Sequence, residues 1–232
     1  MQREVRFNDL FNATFETVLA NRTATLVFLA VTVPIGAASV ALFDTASGNP
    51  AVLFSGTSRS FGTVAGILAV ILFGMVTQYW FIMAMLRRSL HADFHRLLPY
   101  LGISLLSTIG LVLGLLLLVI PGLIFATRSL LVAPMVLDRE TPAMDSFVES
   151  WERTQSSAWS IFGMIVVLFL LMLIPTSISA LLSGQLAESV PVAGWLLESL
   201  ASQLTALLQT GMMVGAYRLL GDSTRELEEV FA

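Results

Sequence analysis

The chain contains no cysteine. That removes disulfides, thiolate metal sites, cysteine nucleophiles and palmitoylation, and it leaves the redox compartment unreadable. Lysine is missing too, so all twelve basic residues are arginine. Arg and Lys serve membrane topology equally, and the bias is read as genomic before it is read as mechanistic. Charge of either sign is scarce: 12% of residues are charged, against about 25% in a soluble domain. So few charges cannot cover a water-facing surface. A net charge of −4 and a pI near 5.1 give no reason to expect nucleic acid as a partner.

What the chain has instead is apolar length. Hydrophobic residues make up 56% of it and the mean hydropathy is +0.84. They lie in long blocks, the pattern of an integral membrane protein built as an all-α, polytopic six-helix transmembrane bundle. The expected spans are 24–43, 62–86, 101–120, 122–137, 161–182 and 194–220. The fourth is short against a usual length of about 17–25 residues. It follows the third through Pro121-Gly122, a turn signal. A single helix over 101–137 would reach about 55 Å at 1.5 Å per residue, far beyond a core of about 30 Å. The two segments must therefore fold back as a tight hairpin. No cleavable signal peptide is expected ahead of Ala24.

Arginine placement orients the bundle. Arg3, Arg6, Arg22, Arg87, Arg88, Arg96, Arg139, Arg153, Arg218 and Arg225 fall on one side and Arg59 alone on the other. The positive-inside rule then puts both termini in the cytoplasm. Two amphipathic helices, 7–20 and 142–155, are expected outside the spans, lying in the cytoplasmic interface or packed on the protein's own cytoplasmic face. In the second, Thr141 is the expected N-cap and Pro142 the first helical residue.

These helices also match each other. Asp9, Phe11, Phe15 and Glu16 have the spacing of Asp145, Phe147, Trp151 and Glu152. Each leads into a span interrupted by proline, Pro34 or Pro175, and each of those is followed by a long span ending in Arg. A parallel repeat of helices 1–2 and 5–6 around the central hairpin of helices 3–4 is the expected arrangement. Gly62/Gly66, Gly110/Gly114 and Gly211/Gly215 are small-residue pairs that permit close helix approach.

Chemistry-bearing residues are few. His91 and His95 would share a helix face, but only Asp93 lies near and on a different face, so they read as interfacial rather than as metal ligands. No nucleophile elbow, zincin motif, phosphate-binding loop or paired intramembrane carboxylates occur. Neither enzymatic activity nor a cofactor or metal is expected.

Arg128 is the outlier. It stands alone in the apolar run "GLIFATRSLLVAPMVL", six residues past Gly122, about 9 Å from the outer end of the span. There its side chain can partly snorkel outward, and even at the bilayer centre the charge costs only about 3 kcal/mol on insertion scales. Glu198 is an acceptor at comparable depth, with Gln203 deeper and Gln78 on another span. The cluster Arg128, Glu198, Gln203 and Gln78 is thus either a structural lock or the lining of a pathway.

The run "IPGLIFATRSLLVAPMVLDRETPAMDSFVESWERTQSSAW" resembles a bacterial family of six-span proteins. That family includes the membrane domain attached to some glycerophosphoryl diester phosphodiesterases and the YciC-like inner-membrane proteins. The matching positions are Pro121, Gly122, Arg128, Pro134, Ala143, Ser150, Trp151 and Thr154. The resemblance implies a bacterial inner-membrane location and the same topology. It carries over no catalytic residue, because the phosphodiesterase of such proteins is a separate soluble barrel. The expected role is a non-enzymatic membrane module that organises or assists membrane lipids or protein partners. The alternative is a small-solute or lipid transporter with a polar site around Arg128.

Overall fold

A backbone inside hydrocarbon must satisfy its own N–H and C=O groups, so apolar blocks of this length resolve as helices. The computed structural model describes residues 5–47, 58–90, 94–117, 119–139, 142–186 and 190–231, and among these there is no strand. The helices are α1 (Phe7–Ala20), α2 (Arg22–Ser47), α3 (Ser58–Arg87), α4 (Leu97–Leu117), α5 (Val119–Arg128), α6 (Val132–Asp138), α7 (Ala143–Arg153), α8 (Ala158–Leu186) and α9 (Pro191–Phe231). A 3₁₀ turn, Phe94–Arg96, precedes α4.

Five stretches are long and apolar enough to cross a membrane: Arg22–Ala41, Val64–Arg87, Phe94–Leu116, Ile120–Asp138 and Ala158–Leu182. This is a multi-pass membrane protein. The 41-residue α9 is not among the five, although an expected span lies within it. Glu198, Gln203 and Gln209 dilute its apolar stretch.

The hairpin departs in detail from the sequence reading. α4 ends at Leu117 and α5 already begins at Val119, so Pro121 and Gly122 lie in the first turn of α5. A proline there loses no hydrogen bond, because the first helical N–H groups have no intrahelical acceptor. Gly122 serves packing instead. A Cβ built on Gly114 would lie 2.8 Å from the Cα of Gly122, and one on Gly110 would lie 2.5 Å from the Phe125 ring. Pairing of 110 with 125 and 114 with 122 makes α4 and α5 antiparallel and brings their backbones together.

The chain divides into two compact units, with α2, α3, α8 and α9 each contributing a stretch to both. The first comprises Met1–Ala24, Tyr79–Leu170 and Leu207–Ala232. Its core gathers Leu10 of α1, Leu131, Met135 of α6, Ile161, Met164 and Leu168 of α8, and Met212, Ala216 and Leu220 of α9. α1 is thus packed on protein. Its Ala13, Thr14 and Val18 fill the groove over Gly211 and Gly215, where a Cβ on Gly215 would come within 3.0 Å of the Ala13 backbone. Arg218 donates from Nη2 to the Met85 carbonyl at 2.6 Å, tying α9 to the last turn of α3. There, Arg88 takes a left-handed φ of 50°.

The second unit comprises Thr25–Gln78 and Leu171–Ala206. Ser199 of α9 donates to the Val33 carbonyl of α2 at 2.8 Å, next to Pro34, and Gly36 leaves the room that Ser199 and Gln203 occupy. Pro34 and Pro175 both stay inside helices. Thr176 bonds back to the Met172 carbonyl at 2.6 Å, beside the proline-interrupted ladder. Nothing lies within 4 Å of a Cβ built on Gly62 or Gly66.

α7 begins at Ala143 and α8 at Ala158, each 136 residues after its counterpart, α1 at Phe7 and α2 at Arg22 (143 − 7 and 158 − 22). At that offset, across 7–22 and 143–158, three pairs of positions are buried in both segments, Leu10 and Ser146, Thr14 and Ser150, and Asn21 and Ser157, whereas Thr17 and Thr154 are buried without a buried match.

Candidate functional site: the Arg128 junction

Pro134 creates this site. With no N–H, it cannot bond the Leu130 carbonyl, and its ring would collide with it. The helix therefore breaks over residues 129–131 and restarts as α6. At the break the Val132 N–H turns to the Ser129 carbonyl at 3.1 Å instead of reaching Arg128. The carbonyl of Arg128 needs another donor, and the hydroxyl of Ser150 supplies it at 2.5 Å.

The exchange is reciprocal. α7 ends at Arg153, and its last carbonyls have no intrahelical donors. Arg128 donates from Nη1 to the Trp151 carbonyl at 3.1 Å. Its guanidinium also lies 5.4 Å from the centroid of the Trp151 ring, within cation–π reach. Thr154 closes the turn, its hydroxyl donating to the Ser150 carbonyl at 2.8 Å and its N–H to the same oxygen at 3.0 Å. A cation at a helix C-terminus also meets the negative end of the helix dipole.

α7 has three faces. Ser146, Ser150 and Thr154 form a buried hydroxyl stripe against the hairpin. Phe147 packs on Ile103, Val132 and Val136 and lies 6.3 Å from Phe125, ring to ring. Met144, Val148 and Trp151 are exposed. The helix starts at Ala143, with Pro142 at the N-cap, one residue later than expected, and Thr141 lies outside the described residues. Amphipathic patterning, which sorts residues as apolar or charged, does not reveal the hydroxyl stripe. Its signal was the four-residue spacing of Ser146, Ser150 and Thr154.

A charged chain extends the junction. Glu149 accepts from Arg153 at 2.5 Å and from Arg139 at 3.2 Å. Arg139 lies 6.0 Å from the Tyr217 ring centroid, and Tyr217 donates its hydroxyl to Asp138 at 2.7 Å. α7 is thereby linked to the end of α6 and to α9. The head group of Arg128 is thus held at the end of α7, on the Trp151 carbonyl and ring. The free carbonyls of α7 are what draw it there.

Arg128, Ser150, Trp151 and Thr154 thus meet at one place, Pro134 lies in the helix that restarts beyond the break, and Pro121 and Gly122 lie in the first turn of the helix that delivers Arg128. Gln78, Glu198 and Gln203 belong to the other unit. There Gln203 lies beside Gly36 and Glu198 is exposed. His95 accepts from Arg96 at 3.0 Å, and His91 lies outside the described residues. Among the described residues no group of three His, Cys, Asp or Glu is placed to hold a metal ion. Comparison with protein-family models, curated proteins and solved structures finds no match.

Proposed function

We propose that this chain is a non-enzymatic module of the bacterial inner membrane, crossing it six times with both termini in the cytoplasm, and that it organises or assists membrane lipids and protein partners. The observation that carries this reading is the use made of Arg128. The guanidinium that a transport pathway would present to solute is committed to the Trp151 carbonyl and ring. Its own carbonyl is closed by Ser150. Such a closed arrangement holds two helices in register and has no group left poised for chemistry.

Lipids are the first partners. Leu68, Ile71, Leu72, Leu113, Leu116, Phe169, Ile174 and Leu181 are exposed on the apolar helices, as acyl-chain contact requires. The likeness of the Pro121–Thr154 run to six-span bacterial membrane domains supports the same topology, as does the distribution of arginine. The matched starts of α1 and α7, with their matched buried positions, support a parallel repeat about the central hairpin.

The cysteine-free chain makes the test direct. Single substitutions Asn8→Cys, Asp145→Cys and Val190→Cys, and a cysteine appended after Ala232, are probed in intact cells with a membrane-impermeant thiol reagent. Protection of all but Val190→Cys is expected, and a reactive C-terminal thiol would mean that α9 does not cross. Ala126→Cys, two residues before Arg128, should also stay unlabelled. Rapid labelling there would reveal a water-filled route and favour transport.

A further inference from the structure

Charge is unevenly shared along the chain. Between residues 45 and 137 there are five arginines and a single acidic residue, Asp93, although the whole chain has a net charge of −4. Three of the five, Arg87, Arg88 and Arg96, flank the connection between two membrane-crossing stretches, Val64–Arg87 and Phe94–Leu116. Asp93 lies outside the described residues. One carboxylate cannot balance three guanidiniums, so this corner keeps a positive charge whatever Asp93 meets.

Local structure holds that charge at a set depth. α3 ends at Arg87, and the chain turns on Arg88, whose φ of 50° is left-handed. Glycine or asparagine takes that conformation at lower cost, so an arginine there implies a use for its side chain. Trp80 of α3 donates its indole N–H to the Leu90 carbonyl at 3.0 Å, which brings Leu90 back alongside the helix. Only residues 88–93 separate the two stretches, and a loop of that length, fully extended out and back, reaches about 10 Å. The arginines therefore stay near head-group depth. Arg87 and Arg88 are both exposed, and among the described residues neither guanidinium has a hydrogen-bond or ion-pair partner. Arg96, by contrast, donates to His95 at 3.0 Å.

Apolar side chains rim the charge. Leu90, Phe94 and Leu98 are 46%, 53% and 79% exposed, although the Phe94 ring stacks on the buried Tyr79 at 5.9 Å. Resting on the reading of lipids as the first partners, we infer that the Arg87–Arg88 corner is a docking site for the phosphate of an anionic phospholipid, with Leu90, Phe94 and Leu98 against its acyl chains. Guanidinium and phosphate match in charge and in paired N–H···O geometry. The surplus positive charge decides for an anionic head group over a zwitterionic one. The apolar rim decides for a lipid over a free phosphate, which would leave three large hydrophobic side chains in water.

The test uses the full chain purified in detergent and titrated with phosphatidylglycerol or phosphatidylcholine of equal acyl length. Native mass spectrometry counts the bound lipid. Phosphatidylglycerol is expected to bind roughly tenfold more tightly, as two arginines at the surface imply. Arg87→Gln with Arg88→Asn, in which asparagine keeps the left-handed turn, should lower that preference to about threefold or less. Arg6→Gln with Arg22→Gln removes two other exposed arginines and the same charge, and should retain the preference. Glycerol 3-phosphate, which offers the phosphate without acyl chains, should compete only in large excess. Should the double variant fail to fold, Arg87→Gln and Arg88→Asn are tested singly, each with severalfold loss expected. Equal binding of the two lipids, an equal loss in the control pair, a preference unchanged in the Arg87 and Arg88 variants, or glycerol 3-phosphate competing as well as the lipid would each overturn the inference. Binding in detergent does not depend on which way the chain crosses, so a failed site is distinguishable from a failed topology, which the thiol map reads separately.

Discussion

Replacing Arg128 with leucine measures what the junction contributes. The change deletes the bond from Nη1 to the Trp151 carbonyl, 3.1 Å long, and the stacking on the ring at 5.4 Å, while the Ser150 bond to the backbone of residue 128 can persist. A hydrogen bond from a charged donor contributes about 1.5–3 kcal/mol. Partial exposure favours the lower end. The cation–π contact adds about 0.5–1 kcal/mol and the charge at the end of α7 about 0.3–1 kcal/mol. Leucine recovers part of this, since it is at home in the membrane, but the recovery is limited because the guanidinium already reaches the polar end of α7. A net loss of about 2 kcal/mol is the expected outcome, a fall of roughly 4–8 °C in the unfolding midpoint for a chain of this size. Tryptophan fluorescence in lipid nanodiscs can follow it, with Trp151 at the site. A double-mutant cycle with Trp151→Leu isolates the ring term at about 0.5–1 kcal/mol, because the carbonyl bond survives removal of the indole. Arg128→Lys should fall between wild type and Arg128→Leu, retaining charge but losing the planar fork. A midpoint unchanged or raised in Arg128→Leu, together with no coupling to Trp151, would refute the capping argument.

Two contrasts follow from the same contacts. Gly114→Ala should destabilise the hairpin by about 1–3 kcal/mol, because its Cβ would press on the Gly122 backbone at 2.8 Å; Gly66→Ala, with open space around it, should be neutral or gain up to about 1 kcal/mol of helix propensity, and unfolding midpoints compare the two. Ser150→Ala strips the Arg128 carbonyl of the donor that the Pro134 break makes necessary, a loss of about 1–3 kcal/mol read in the same way, whereas Ser150→Thr should retain most of it.

Much of this was legible in the chain. Apolar blocks predict helices because hydrocarbon leaves the backbone no other partner, and α2, α3 and α8 contain blocks read from hydropathy alone, while the block 101–120 runs past the end of α4 into α5. The stretches holding Asp9, Phe11, Phe15 and Glu16 and holding Asp145, Phe147, Trp151 and Glu152 were both read as helices, and both are helical, as α1 and α7. Pro121-Gly122 misled locally: a Pro-Gly pair is read as a turn from its backbone preferences, yet proline is equally at home in the first turn of a helix. The glycine was needed for Gly114. Pairs such as Gly62/Gly66 and Gly211/Gly215 look alike as sequence, and only their neighbours distinguish an open face from a groove holding α1.

Arg128 marks the same division. The sequence by itself determined that a guanidinium stands in an apolar run, that Pro134 follows six residues later, and that Ser150, Trp151 and Thr154 recur beyond a polar connection. Local rules extend that far because they concern a residue and its near neighbours along the chain. Which carbonyl receives the charge was decided by tertiary structure alone. It depends on a helix break that frees one backbone oxygen, on a second helix whose end offers others, and on a packing geometry that brings the two within about 3 Å.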